Sequence, residues 1–78
     1  MPNFAAEYAR AKGKYPDALW STLDPRDMLH ALQREVDELG VALWKGDLHG
    51  EHGILAEKTH VMVVAARIGE EMARRNTG

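Results

Sequence analysis

Leu29, Leu32, Val36, Leu39 and Leu43 recur at spacings of three and four residues. That is the period of a helix burying one stripe against another helix, and a strand's alternation of two cannot generate it. The signals flanking the run agree with it. Asp24 can cap free backbone N–H groups, Pro25 suits the first helical position, Asp27 complements the helix dipole, and Gly46 is a natural stop after Lys45. The spacing therefore predicts a long helix opening at Pro25 and ending at Lys45. Gly40 inside it costs about 1 kcal/mol relative to alanine, so close packing or backbone access is expected there.

The remaining segments also read as helices. The first is expected from about Asn3 to Lys12, with Phe4, Tyr8 and Tyr15 toward one side, ending at Gly13 ahead of Pro16. Residues 16–24 read as a connector with Leu19, Trp20 and Leu23 as apolar anchors. The stretch GDLHGEHG over 46–53 is a polar loop. Its histidines, His49 and His52, lack further ligands nearby for a metal, and its glycines lack the Lys-Ser/Thr of a phosphate loop. A third helix is expected from Ile54 to about Arg75, with Arg74 and Arg75 suiting its C-terminal end. Ile54, Val61, Val64 and Ile68 line one side of it, and Met62, Val63, Ala65 and Ala66 continue the apolar surface around. The expected fold is all-α, a short bundle of about three helices in one domain over 1–78. Residues 1–24 supply the N-terminal helix and connector, and 25–78 a helical hairpin.

Composition narrows the function. With 78 residues and no cysteine, neither disulfides nor a thiolate zinc site can support the core, and a chain this short buries only about 60% of its unfolded surface. The apolar third helix therefore predicts a homo-oligomer, a dimer or tetramer. A net charge of −2 and a pI near 6.0 argue against a nucleic-acid surface. No apolar run is long enough to span a bilayer, and the N-terminus lacks a secretory signal, so a soluble cytoplasmic protein is expected.

Carboxylates sit where a core belongs. At 100° per residue with Leu32 at zero, Glu35 falls near −60° and Glu38 near −120°, adjoining the leucine seam and next to Ala31 and Ala42. With Glu57 at zero, Val61, Val64 and Ile68 lie within about 40° of it. A buried carboxylate must be paired, protonated or metal-bound. Glu38 has Arg34 one turn earlier as a pairing partner and Glu57 has His60 in reach, whereas Glu35 has Ala31 and Leu39 as its four-residue neighbours. The alternative gathers Glu35, Glu38 and Glu57 between two helices as oxygen ligands for a divalent cation.

The stretch LHALQREVDELGVALWKGD…GILAEKTHVMVVAARIGEEM, roughly residues 28–72, resembles the MazG-like all-α nucleoside triphosphate pyrophosphohydrolases. That family carries E-E-x-x-E on one helix and E-x-x-D on a later one, which bind magnesium for cleavage of a nucleoside triphosphate to the monophosphate and pyrophosphate. Here Arg34 stands at the leading glutamate of the first pattern, followed by Glu35 and Glu38. Glu57 begins the second, with His60 at the aspartate position. The resemblance implies Glu35, Glu38 and Glu57 as catalytic and metal-binding residues with His60 as a further ligand. Imidazole in place of carboxylate favours Mn2+ over Mg2+. Lys45, Lys58 and Arg67 are candidates for phosphate contact, and Trp44 or Trp20 for stacking on the base. The competing expectation is a catalytically inactive MazG-like helical module that acts through protein–protein contacts, which Arg34 and His60 favour.

Overall fold

The computed structural model describes residues 3–77, and every regular element in it is helical: α1 Phe4–Lys14, α2 Asp17–Trp20, α3 Pro25–Lys45 and α4 Ile54–Thr77. The all-α expectation holds, with one helix more than the three expected because the connector closes a single turn at Asp17–Trp20. Asn3 lies just before α1 and caps it, its Oδ1 accepting from the Ala6 N–H at 3.2 Å. Gly13 does not stop this helix. It continues to Lys14 and breaks at Tyr15, where the following proline disfavours helical backbone.

The long helix forms as its flanking residues dictate. Asp24 Oδ1 accepts from the Asp27 N–H at 3.0 Å, and Pro25 occupies the first turn. Gly46 takes the left-handed conformation at φ 69°, donating to Ala42 and Leu43 carbonyls at 3.0 and 3.2 Å. The loop beyond folds back on the start of α4. Asp47 O accepts from the Ile54 N–H at 2.7 Å, Gly53 O accepts from the Glu57 N–H at 2.9 Å, and Asp47 Oδ1 accepts from the Gly50 N–H at 3.0 Å. A β-carbon at Gly53 would stand 2.7 Å from the Asp47 carbonyl oxygen, so only glycine allows this return.

α3 and α4 form an antiparallel hairpin, and α1 lies against α4. The leucine seam is only partly covered. The innermost residues of α3 are Met28 and Ala42, while Leu29, Val36 and Leu43 are about half exposed. On α4 the buried line is Ala56, Glu57, Thr59, Val63, Arg67 and Glu71, rotated by roughly 110° from the Ile54–Val61–Val64–Ile68 side. Arg67 and Glu71 are buried because they tie the N-terminal segment down. Arg67 Nη2 donates to Tyr15 O at 2.6 Å and to Asp17 at 3.2 Å, and its guanidinium lies 5.4 Å from the centre of the Trp20 ring. Glu71 accepts from Arg74 at 2.7 Å and Arg75 at 2.9 Å, which hold its carboxyl below the usual range. Arg75 in turn caps the carbonyls of Trp20, Ser21 and Leu23. No helix among the described residues is long and apolar enough to cross a membrane.

Candidate metal centre

Glu35 reaches the hairpin interior from the middle of α3, and Glu57 and His60 from the first two turns of α4. Each offers a ligand atom, and the three atoms lie within 4.8 Å of one another. Glu57 is only 1% exposed. Its Oε1 stands 3.2 Å from His52 Nδ1 and its Oε2 3.3 Å from His60 Nδ1. The helix N-terminus on which it sits also favours negative charge. His60 Nδ1 is 3.9 Å from Glu35, and its other nitrogen, Nε2, is 3.6 Å from Glu7 on α1. One imidazole thus stands among three carboxylates contributed by α1, α3 and α4.

The electrostatics leave room for a cation. Glu35 Oε2 is buried without a hydrogen-bond partner. Burial pushes the Glu35 carboxyl above its ordinary value of 4.5. The charge of Glu38, a hydrogen bond with Glu38 and the charge of Glu57 raise it further, while His60 opposes them. An orphaned oxygen, a raised carboxyl and a facing buried carboxylate are what a divalent ion satisfies at once. The donor set of two carboxylates and one imidazole fits Mn2+ better than Mg2+, which demands oxygen ligands in tight octahedral geometry.

The other candidates are placed differently. Glu38 is exposed, outside the three-residue cluster, and forms no ion pair with Arg34 among the described residues. With Lys45, Val41, Asp47, His52 and Glu57 it lines a cleft of about 330 Å3 on the loop side. Lys58 is exposed on α4. Arg67 is buried, with Nη2 engaged by Tyr15 and Asp17, while its Nη1 has no hydrogen-bond partner and the side chain lines the cavity shared with Glu35 and His60. Trp44 is 91% exposed and lines none of the cavities beside the cluster. It offers no stacking wall there, whereas Trp20, buried under Arg67, borders the cluster's cavity of about 250 Å3.

Four neighbours, Glu7, Arg10, Lys14 and His52, lie outside the candidate site read from the sequence. Glu7 shares the inner side of α1 with Tyr8 and Ala11, a signal of the same kind that singled out Glu35. His52 sits in an irregular loop, where no periodicity identifies its direction. Arg10 and Lys14, which look like a solvated helix end, line the 250 Å3 cavity together with Glu7, Glu35 and His60. A larger cavity of about 460 Å3, bordered by Arg10, His49, His52 and His60, opens beside it. No protein-family profile, curated protein or solved structure matches this chain.

Proposed function

We propose that this protein is a divalent-cation-dependent nucleoside triphosphate pyrophosphohydrolase, releasing the monophosphate and pyrophosphate and working as a homo-oligomer. The supporting observation is the convergence of Glu35, Glu57 and His60 from two helices beside a cavity with Arg10 and Lys14 on its wall. Glu35, Glu57 and His60 would hold Mn2+ in preference to Mg2+, and the cation would neutralise phosphate charge and align the polyphosphate. The chain's own contribution is then positional. Arg10 and Lys14 are placed to draw the remaining phosphate oxygens into the cavity. Glu7 holds His60 from the side of Nε2, which leaves Nδ1 directed at the two glutamates. Glu38, beside Glu35 at the cluster's edge, is the carboxylate free to take a proton from an attacking water.

The second reading is a MazG-like module that binds without catalysis. It is favoured by Arg34 in place of the leading acid and by Glu38 lying outside the cluster, which leaves ligands for one cation only. Pyrophosphate release from ribo- and deoxyribonucleoside triphosphates, each with Mg2+ and with Mn2+, separates the two. Turnover of any nucleotide that is lost in Glu57→Gln supports the enzyme. Silence from a folded, Mn2+-binding protein supports the binding module.

A further inference from the structure

We propose that a second copy of this chain docks on the open side of the α3–α4 hairpin, across Leu29, Val36 and Leu43 of α3 and Ile54, Val61 and Ile68 of α4. This assigns an interface to the homo-oligomer read above, and it does not depend on the chemistry proposed for the acidic cluster. On a wheel with Val36 at zero, Leu29, Leu32, Gln33, Val36, Gly40 and Leu43 fill an arc of about 100° containing no charged side chain. The part of α3 facing α4 is centred about 100° from Val36, at Met28, Glu35 and Ala42. On α4 the neighbours are marked by contacts. Glu70 and Arg67 meet Tyr8 of α1, and Glu57 and His60 meet Glu35 of α3. Ile54, Val61 and Ile68, each partly exposed, lie past the α3 contact on the remaining side. The two arcs adjoin, so the hairpin carries one continuous apolar face opposite α1.

The amount of surface suits a second copy. The chain exposes 5403 Å2, about 700 Å2 more than a compact monomer of its 8.7 kDa mass. That excess is close to the roughly 800 Å2 per partner of an ordinary stable interface. The radius of gyration, 13.3 Å, exceeds the roughly 11.5 Å of a compact chain of this length, and the molecule is a slab 17 Å thick along its shortest axis. Two such slabs face to face approach the proportions of a compact bundle. A self-complementary, charge-free face suits a two-fold pairing, because no buried charge then meets its own copy. Gly40 belongs to this arc. A β-carbon there would meet nothing within the chain, and its absence lets a neighbouring backbone approach.

Sedimentation equilibrium at micromolar concentration tests this with two variants. Wild type is expected at twice the monomer mass. Val36→Arg places an unpaired charge at the centre of the face and is expected to weaken association by at least about 100-fold, with helical circular dichroism unchanged because the site is half exposed in the monomer. Leu19→Arg alters an equally exposed leucine on α2 and is expected to stay dimeric. A monomeric wild type overturns the oligomer itself. A dimer that survives Val36→Arg, or one that dissociates equally with Leu19→Arg, overturns this face and leaves the oligomer standing. Neither result depends on nucleotide turnover.

Discussion

Glu35→Gln keeps the shape of the side chain and removes one of two carboxylates whose ligand atoms lie within 4.8 Å of each other. At an effective dielectric constant near 20, that separation corresponds to roughly 3.5 kcal/mol of repulsion between full charges. The side chain is 23% exposed and also loses its attraction to His60 at 3.9 Å, so the net relief is about 1–2 kcal/mol. The glutamine carries two N–H donors where the wild type has an unpartnered oxygen, which adds in the same direction. In chelator at neutral pH the variant is expected to melt roughly 5–10 °C above wild type. Bound cation should reverse the order. At a Mn2+ concentration 100-fold above its dissociation constant, mass action stabilises wild type by about 2.7 kcal/mol, a gain of roughly 10–20 °C. The variant should lose most of that gain. Melts followed by circular dichroism, with chelator and with Mn2+, give all four values. A lower melting temperature for the variant in chelator, or an undiminished Mn2+ response, refutes the reading of Glu35 as a charge held for a cation.

Three further expectations follow from the same geometry. His60→Asp adds a fourth carboxylate beside Glu7, Glu35 and Glu57, so isotherms should show preference moving toward Mg2+ while the metal-free protein loses about 1–2 kcal/mol of stability. Arg67→Met cuts the tie to Tyr15 O and Asp17 and should cost about 1–3 kcal/mol in denaturant unfolding, with Mn2+ affinity retained because Arg67 is no ligand. Because the Glu35 carboxyl is raised in the folded state, its contribution to metal-free stability is fully present below the ordinary value of 4.5 and is lost as pH rises through the raised value. The stability advantage of Glu35→Gln over wild type in chelator should therefore grow as pH climbs above 4.5. An advantage that shrinks over that range contradicts the shift.

The element boundaries were legible in the sequence because they are set locally. Asp24, Pro25 and Gly46 act on backbone groups within four residues of themselves, and α3 begins and ends where they place it. The end misplaced at Gly13 shows the limit of the rule. Glycine permits a helix to stop, whereas Pro16 requires it, and α1 runs on until the proline. Part of the site was legible too, since a carboxylate on an apolar stripe has few stable fates, and Glu35, Glu57 and His60 do meet.

What the tertiary structure alone decided is which portion of each apolar arc is covered, and by what. Periodicity shows that α3 is apolar over more than half its circumference. A single neighbouring helix covers only part of such an arc, and no local signal says which part. α4 took the side holding Met28, Glu35 and Ala42, which left Leu29, Val36 and Leu43 about half exposed and Glu38 exposed at the cluster's edge. The same limit hid where Glu7 and His52 stand. Their places beside His60 and Glu57 depend on how α1 and the loop return to α4, through contacts between residues up to 53 positions apart in the case of Glu7 and His60. The structural part that Arg67 plays was hidden for a related reason. Its charge is visible in the sequence, but only the tertiary structure shows it buried against Trp20, Tyr15 and Asp17, where it ties α1 and α2 to α4.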